Sequence, residues 1–523
     1  MLFRGAAAGL SALLVLVTGC AGPDAADPEV VATVAGSVRG TAGVSDGQGF
    51  RVFRGIPYAA APVGQRRWQP PVAATPWAGV RDATESGTRC VQDTRVDPDY
   101  GRPTGEDCLN LTVWTPQGAG AEDQRPVMVW FHGGGFLNGS ADIYDARWLA
   151  TRGDIVVVAV NYRLGALGFL AHPALGPAQD LGNYGLADQQ AALRWVGENI
   201  AAFGGDPGKV TIAGESAGAM SVCDHLVAPE SAGLFRAAIL QSGPCQVQAG
   251  LPEAQRVSLD YAAGIGCPEA ATARDCLLSL PADRLQGGPG YARLGTSVLS
   301  GPVTGTRRLP VSPTTVADRS PTAPVPVLIG NTADEFTLFV ALTYLADGGL
   351  APYDVLLAEA FGDQAAAVAA RYPPSRYDGS EGLAYAAAVT DGVFACPIDA
   401  LATGLAARAP VYAYEFADRT APVPEPVLAA PFEAGAGHGL ELRYLFDMGG
   451  APPLNAAQRV LSDQMIGYWS GFVATGVPAG AGLPQWPALH PDHPVRMMLD
   501  TGGLGLDTGF AGRHECGFWG SQG

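Results

Sequence analysis

Five apolar runs constrain the fold of this chain of 523 residues most strongly. They cover residues 126–132, 155–163, 209–215, 237–243 and 324–331. Most are near-continuous and rich in β-branched residues, as expected of strands buried on both faces. Residues 185–203 instead have apolar side chains at helical spacing, and residues 217–226 suit a helix. Strands that alternate with helices predict an α/β fold with a mostly parallel central sheet, flanked by helices.

The rest of the chain adds to this sheet. Residues 30–40 predict a first strand, whereas residues 270–320 and 341–410 are rich in Ala, Gly and Pro and predict helical and loop insertions. No internal repeat or long low-complexity linker interrupts the chain. We therefore expect residues 29–523 to form a single domain, despite a length that would allow several.

The first residues predict export. Residues 1–19 combine Arg4 with an apolar run too short to span a bilayer comfortably, as in a secretory signal peptide. The stretch VTGC, ending at Cys20, resembles the signal of bacterial lipoproteins, in which this cysteine is lipidated after cleavage. An ordinary signal peptide that contains a cysteine is the alternative. Residues 20–28 form a linker, and no later stretch is apolar enough to suggest a membrane span.

These features predict a protein that is lipid-anchored through Cys20 to the outer face of the cell membrane, or else secreted. The formal net charge of −18 would repel a phosphate backbone, which argues against a nucleic-acid partner. Beyond Cys20 the chain has eight cysteines, and an even count in an exported protein predicts disulfides. No CxxC pair or Cys/His cluster occurs, so no metal is expected.

Ser216 is the candidate nucleophile. It stands in GESAG, between the predicted strand 209–215 and the predicted helix 217–226. The alternative is a chance match in a chain with 70 glycines. The position between a strand and a helix favours a nucleophile elbow, in which flanking glycines permit a tight turn that exposes the serine hydroxyl.

A serine needs a histidine base, and seven histidines are available. His438 is the best candidate because it lies in the glycine-rich stretch GAGHGLEL, whose backbone can bring an imidazole over a serine. His225 follows Ser216 on the same predicted helix and would point away from it. The remaining candidates late in the chain are His490 and His493, in a proline-rich tail, and His514.

The acid and the oxyanion hole come from loops after two of the strands. Residues 331–335 offer Asp334 or Glu335, and the pattern alone does not choose between them. The glycine run in FHGGGF, residues 131–136, can direct backbone N–H groups into a cavity, and Ala217 after the nucleophile supplies another. No Lys-Ser/Thr follows the glycines, which excludes a phosphate-binding P-loop.

Taken in order, these motifs resemble the type-B carboxylesterases, whose relatives include cholinesterases and fungal lipases. The resemblance covers nearly the whole chain after the signal segment. It rests on FRGIPYA, RWQPP, EDCLNLTVW, HGGGF, NYRLGALGFL, GNYGLADQQAALRWVGENIAAFGGDP, GESAGAMS, LFRAAILQSG, GNTADEF, GAGHGLEL and WPAL. It implies a single α/β-hydrolase domain with a mixed, mostly parallel sheet, and hydrolysis without a metal or organic cofactor.

The resemblance also implies roles for individual residues. It makes Glu335 the acid of a Ser216–His438–Glu335 triad, with Gly134, Gly135 and Ala217 as oxyanion donors. It implies the disulfides Cys90–Cys108, Cys267–Cys276 and Cys396–Cys516, which leaves Cys223 with Cys245. Glu215 also matches the family, either as a carboxylate that stabilises the charged imidazole or as a structural hydrogen-bond partner of the turn.

Departures from the family pattern narrow the range of substrates that we expect. The loop between Cys90 and Cys108 has no tryptophan, and Tyr100 is its only aromatic residue. Leu338 stands where cholinesterases have a second aromatic residue, so a choline ester is not expected. Family lipases use the loop between the two corresponding cysteines as a long amphipathic lid. Here that loop has only 17 residues and no apolar face.

We therefore expect a serine carboxylesterase that hydrolyses short- to medium-chain or small soluble esters through an acyl-enzyme. A lipase or polyester hydrolase with the same triad is the first alternative. The second is a non-catalytic binding protein, as some members of the family are. Such proteins usually lack a triad residue, whereas this chain has all three.

Overall fold

The computed structural model describes residues 27–94, 102–295, 297–317 and 324–521. Within these ranges, eleven strands form one large sheet. In chain order, β1 to β11 are Thr41–Ser45, Gln48–Pro57, Asn110–Pro116, Arg125–Phe131, Val156–Val160, Gly205–Glu215, Ala237–Gln241, Val327–Thr332, Val411–Phe416, Arg496–Leu499 and Gly505–Asp507. The predicted signal peptide 1–19, Cys20 and Tyr100 lie outside the described residues.

The sheet is mixed but mostly parallel. Its strand order is β11-β10-β9-β8-β7-β6-β4-β5-β3-β2-β1. Every pairing between β10 and β5 in this order is parallel, while β11 at one edge and β3, β2 and β1 at the other pair antiparallel. The carboxyl ends of the central parallel strands therefore meet at one edge of the sheet, where open α/β sheets bind ligands.

The composition of the central strands explains their position. All five residues of β5 are buried, in the sequence VVVAV. Along β4 the side chains alternate between two core clusters, with Val127, Val129 and Phe131 in one and Met128 and Trp130 in the other. Because both faces of the strand are covered, an apolar residue is needed at every position.

Helices cover the sheet. In the described residues, α1 to α14 are Arg147–Thr151, Gly165–Phe169, Tyr184–Asn199, Ala217–Val227, Leu251–Gly264, Ala273–Ser279, Thr337–Asp347, Tyr353–Phe361, Ala365–Arg371, Glu381–Val389, Cys396–Ala406, Ala456–Thr475, Phe510–Arg513 and Cys516–Trp519. The region 341–410, predicted as an insertion, is almost entirely helical. Short additional strands pair outside the large sheet, among them the hairpin Ala292–Leu294 with Ser297–Leu299.

The prediction of a single first strand over residues 30–40 was wrong. The segment forms two antiparallel strands, Val30–Thr33 and Gly36–Arg39, which join Val80–Asp82 in a separate three-stranded sheet. The apolar pattern continues through the turn, so it does not mark the reversal. Val34 at the tip of this turn is 68% exposed.

One helical segment of the described chain, Glu381–Ala406, is long and apolar enough to cross a membrane by those two criteria alone. This departs from the expectation that no stretch after the signal segment suggests a span. In the structure, 61% of its most apolar window is buried inside the protein, as in a core helix. The segment consists of α10, a π-helical turn over Thr390–Ala395, and α11.

Four disulfides are present in the part of the chain that the structure describes, joining Cys90–Cys108, Cys223–Cys245, Cys267–Cys276 and Cys396–Cys516. The bond at Cys223 links α4 to the segment after β7. The bond at Cys396 ties the start of α11 to α14, across 120 residues of sequence. Each cross-link restricts the unfolded chain and so favours the folded one.

Gly218 provides a test of how α4 packs on the sheet. A Cβ at this position would lie 1.9 Å from the carbonyl oxygen of Phe131 at the end of β4. We expect Gly218→Ala to reduce the free energy of unfolding by about 1–3 kcal/mol, because the helix must move away from the strand. Urea-induced unfolding measures this difference.

Gly197→Ala is the matched control, since Gly197 is an exposed glycine in α3 and a Cβ there would have no neighbouring atom within 4 Å. Replacing a helical glycine by alanine there should stabilise the protein by roughly 0.5–1 kcal/mol. Equal effects of the two substitutions would show that the close approach at Gly218 is not required.

Candidate active site

Ser216 forms the sharp turn between β6 and α4. Its backbone angles are φ 54° and ψ −123°, a conformation that residues other than glycine rarely adopt. Its N–H donates to the carbonyl of Gln241 (2.9 Å), and its own carbonyl accepts from the N–H of Met220 (2.9 Å). This is the geometry of a nucleophile elbow, at the carboxyl edge of the sheet.

The glycine loop after β4 passes directly beside this serine. A Cβ on Gly133 would lie 3.1 Å from Ser216 Cβ. Gly134 and Gly135 have φ values of 107° and 61°, in the region that favours glycine. Ala217 is the first residue of α4, and its N–H has no carbonyl one turn earlier to bond.

Within the described residues, the N–H groups of Gly134, Gly135 and Ala217 make no hydrogen bond. These are the three donors that the family resemblance indicated. Free N–H groups next to a serine can donate hydrogen bonds to a carbonyl oxygen on which negative charge develops.

His438 and Glu335 form a buried pair. The imidazole Nδ1 lies 2.5 Å from Glu335 Oε2, and the backbone N–H of His438 donates to the Glu335 carbonyl (3.2 Å). The other carboxylate oxygen of Glu335 accepts from the N–H of Thr332 (2.8 Å). Glu335 is fully buried and His438 is 8% exposed. The carboxylate therefore fixes which face and which nitrogen the imidazole presents to the serine turn.

The neighbouring carboxylate, Asp334, has a different contact set. It accepts hydrogen bonds from Nε and Nη2 of Arg419 (2.8 and 3.0 Å) and from the N–H of Ala436 (2.9 Å). Asp334 thus holds the loop that carries His438, while Glu335 contacts the imidazole itself. The sequence pattern left these two acids open, and the geometry separates them.

Glu215 approaches the imidazole from the serine side. Its Oε1 lies 3.0 Å from His438 Nε2, and both side chains are buried. The two atoms are too poorly aligned for a hydrogen bond, and Nε2 has no hydrogen-bond partner in the described part of the chain. Ser216 Oγ and His438 Nε2 are consequently not hydrogen-bonded in the free protein.

Sequence reasoning missed a third glutamate, Glu441. It is fully buried, and Gln241 Nε2 donates to its Oε1 (3.1 Å). Its position three residues after His438, on the 3₁₀ turn Leu440–Tyr444, brings it to the same side of the chain. The signal available in the sequence was a carboxylate placed between Leu440 and Leu442, three residues after the candidate histidine.

This crowding shifts the pKa values of the cluster. Burial raises the pKa of Glu215 to about 7, and that of Glu441 to about 8. Burial alone would lower the pKa of His438, but the charges of Glu215 and Glu335 outweigh it and raise this pKa to about 9. At neutral pH the imidazole of the free protein is therefore stabilised in its charged form.

Apolar side chains surround these polar groups. The rings of Phe339 and Phe394 lie 5.0 and 5.3 Å from the His438 ring, between centroids. Leu299 Cδ2 lies 3.0 Å from the place a Cβ on Gly135 would take. The space beside the glycine loop is consequently narrow and apolar.

The four other histidines considered in the sequence have contacts away from Ser216. His225 is buried against Ser231 Oγ (2.8 Å) and Gln189 Oε1 (3.2 Å). His490 is exposed and its ring faces that of His493 at 6.0 Å. His514 lies between two carboxylates in a separate buried cluster. In the described ranges, no group of three or more His, Cys, Asp or Glu residues could hold a metal ion.

Comparison with known proteins decides the family. The model of the carboxylesterase family matches residues 27–519. The chain belongs to this family. The match agrees with the large mixed sheet, so the predicted α/β-hydrolase fold is confirmed.

Curated relatives of this carboxylesterase are themselves esterases. The fumonisin B1 esterase of Sphingopyxis macrogoltabida is 35% identical, over 94% of this chain and 90% of the relative. The pyrethroid hydrolase Ces2e of Rattus norvegicus is 33% identical, over 92% and 88% respectively. The cocaine esterase of Oryctolagus cuniculus is also 33% identical, over 90% and 91%. The protein is a carboxylic-ester hydrolase.

The raised pKa of His438 leads to a prediction about pH dependence. A histidine can accept a proton from serine only when it is neutral, so kcat/KM should increase as the pH rises through the pKa of His438. Glu215→Gln removes the charge that raises this pKa most. We expect the acidic limb of the kcat/KM profile to move toward lower pH by about one pH unit.

Glu441→Gln is the matched control, since the Glu441 charge contributes least among the carboxylates that raise the His438 pKa. It should move the limb in the same direction but less far. An acidic limb that stays in place or moves to higher pH in Glu215→Gln would contradict the assignment of this limb to the pKa of His438.

Proposed function

We propose that this esterase acts through an acyl-enzyme, with Ser216 as nucleophile, His438 as general base and acid, and Glu335 as the orienting carboxylate. One observation carries the proposal. Glu335 and His438 form a buried pair, with 2.5 Å between Oε2 and Nδ1. The other ring nitrogen of His438 lies 3.0 Å from Glu215, the residue directly before Ser216 in the strained turn. This arrangement has the parts of a serine hydrolase triad.

In the acylation step, His438 Nε2 takes the proton of the Ser216 hydroxyl while Oγ attacks the ester carbonyl carbon. The carbonyl oxygen becomes an oxyanion, which accepts hydrogen bonds from the N–H groups of Gly134, Gly135 and Ala217. The tetrahedral intermediate then collapses, and His438 gives its proton to the departing alkoxide. The products are the free alcohol and the acyl ester of Ser216.

In the deacylation step, water replaces the alcohol. His438 takes a proton from this water, whose oxygen attacks the acyl carbon, and the resulting intermediate releases the carboxylic acid as the proton returns to Ser216 Oγ. The step requires Nε2 to face the serine rather than Glu215. Catalytic hydrogen bonds are often long or poorly aligned in an enzyme without substrate, and they tighten when substrate binds.

Of the two roles considered for Glu215, we infer the electrostatic one. Its Oε1 is 3.0 Å from His438 Nε2, and its charge is the largest favourable influence on the imidazolium. The carboxylate therefore stabilises the positive charge that His438 gains during each proton transfer. Glu335 stabilises the same charge from the Nδ1 side.

We propose short- to medium-chain or small soluble esters as substrates. Leu299 narrows the space beside Gly135, and Leu338 provides no aromatic face for a quaternary ammonium group. Three relatives are named for pyrethroids, cocaine and fumonisin B1, which supports esters other than triglycerides. The alternative is a lipase or polyester hydrolase, favoured by the apolar surroundings of His438.

Initial rates on p-nitrophenyl esters from acetate to palmitate test both the nucleophile and the substrate class. We expect the highest kcat/KM on short chains and its loss in Ser216→Ala, because the acyl-enzyme then cannot form. A maximum at palmitate would favour the lipase. Activity that survives Ser216→Ala would contradict the nucleophile, and a wild type inactive on every ester of the series would contradict the proposed substrate class.

The neighbouring acids supply a matched control for the triad. Glu335→Gln should lower kcat by on the order of 10⁴, as expected when the orienting carboxylate is lost. Asp334→Asn changes the adjacent carboxylate in the same way but does not touch the imidazole. A larger loss in Asp334→Asn than in Glu335→Gln would reverse the assignment of the acid.

We propose that the protein is exported and carries lipid on Cys20. The four disulfides are in keeping with an oxidising compartment, where such bonds persist. Mass spectrometry of the mature N-terminus should find acyl groups on Cys20, and Cys20→Ser should release the protein from membranes. A mature chain that begins elsewhere, without lipid, would indicate an ordinary signal peptide.

A further inference from the structure

The π-helical turn Thr390–Ala395 lies between the active site and the C-terminal segment. It interrupts the helical segment formed by α10 and α11, and Thr390, Asp391, Phe394 and Ala395 in it are buried. A π turn changes the direction in which successive side chains point, and such turns are frequent at functional sites. Here its side chains contact two different parts of the protein.

On one side, the turn contacts the catalytic pair. Thr390 Oγ1 accepts the backbone N–H of Phe336 (3.0 Å), the residue directly after Glu335. The ring of Phe394 lies 5.3 Å from the ring of His438. The same turn therefore supports both the loop of the acid and the imidazole.

On the other side, Asp391 binds the C-terminal segment. Its Oδ1 lies 2.5 Å from His514 Nδ1, and its Oδ2 accepts the hydroxyl of Tyr372 (2.8 Å). His514 Nε2 lies 2.6 Å from Oε1 of Glu415 on β9. All three members of this His–carboxylate cluster are buried. His514 thus joins the π turn to a strand of the central sheet.

Two further contacts hold the same turn from the C-terminal side. The disulfide Cys396–Cys516 joins the residue that follows the turn to α14. The indole of Trp519 covers Gly392, where a Cβ would lie 2.6 Å from the ring. Trp519 Nε1 also donates to the Tyr372 hydroxyl (2.8 Å). The covalent, ionic and packing contacts all converge on one turn.

The charges around His514 favour this arrangement at neutral pH. Asp391 on the π turn and Glu415 on β9 outweigh the effect of burial and raise the pKa of His514 to about 9. Arg513, on the same segment, pairs with Glu415, and Glu515 faces Arg371 and Arg376. A doubly protonated ring donates to both carboxylates at once, which a neutral ring does not.

We propose that Asp391 and His514 are positioning residues for ester hydrolysis. They fix the π turn, and Phe394 and Thr390 of this turn hold His438 and the Glu335 loop in the geometry that proton transfer requires. The inference rests on the proposed function, because it takes His438 as the catalytic base. It adds to that function a role for the C-terminal segment Phe510–Trp519, which does not touch the reacting atoms.

Two substitutions test the two halves of this connection. Phe394→Leu removes the ring next to His438, and His514→Gln removes the bridge between Asp391 and Glu415. Arg371→Gln is the matched control, because it removes an ion pair of the same C-terminal segment at Glu515 without a contact to the π turn. Enzyme concentrations are taken from titration of Ser216 with a p-nitrophenyl phosphonate, so that unfolded protein does not enter kcat.

For both test variants we expect kcat per titrated site to fall by about tenfold or more, with KM changed less than about twofold. The acidic limb of the kcat/KM profile should move toward lower pH, because a looser contact with Glu335 raises the His438 pKa less. Arg371→Gln should keep the wild-type kcat and pH profile even if its melting temperature falls.

An unchanged kcat per titrated site and an unchanged acidic limb in either test variant would overturn the inference. In that case the C-terminal cluster affects stability alone. Failure of the proposed function gives a different result, since wild-type protein would then not be labelled at Ser216 by the phosphonate.

Discussion

The active site depends on a close backbone contact between two elements of the core. α4 begins so near the end of β4 that only glycine fits at position 218, where a Cβ would lie 1.9 Å from the Phe131 carbonyl oxygen. Gly214 meets the same limit, with a Cβ position 2.4 Å from the carbonyl carbon of Gly218. These contacts set the height of Ser216 above the sheet. They also place the N–H of Ala217 beside the glycine loop that follows β4.

The second constraint is electrostatic. Glu215, Glu335 and Glu441 are buried around the single imidazole of His438, and burial raises the pKa of two of them. One cation cannot neutralise three carboxylates, so the cluster favours a charged imidazole and shares the remaining protons. Burying so much charge is unfavourable for folding. The same charge lowers the free energy of the protonated form of His438.

Aromatic side chains on helical insertions outside the sheet complete the candidate site. The rings of Phe339 on α7 and Phe394 on the π turn pack against the His438 ring. Their elements come from the part of the chain with the weakest pattern in the sequence. The π turn is in turn fixed by the C-terminal cluster around His514. In this way residues near the end of the chain contact the turn that carries Phe394, whose ring lies beside His438.

The sequence by itself predicted the mostly parallel sheet and the sharp turn at Ser216, and it singled out His438 as the candidate base. Runs of β-branched residues suit strands that are buried on both faces. The glycines around Ser216 permit a close approach of backbones, and those before Phe136 adopt backbone angles that other residues avoid. These are local properties, and local patterns carry them. Sequence reasoning failed at Val34, where the apolar pattern continues through a turn, because periodicity does not record a reversal of the chain. The residue pattern left Asp334 and Glu335 open, and only the family resemblance indicated Glu335. The tertiary structure separates their contacts, because Glu335 meets the imidazole of His438 and Asp334 meets Arg419, more than 80 residues further along the chain. It likewise revealed Glu441 and joined Asp391 to His514, 123 residues apart. Such partners are brought together by long-range packing, and no local pattern in a single sequence encodes a distance between side chains so far apart along the chain.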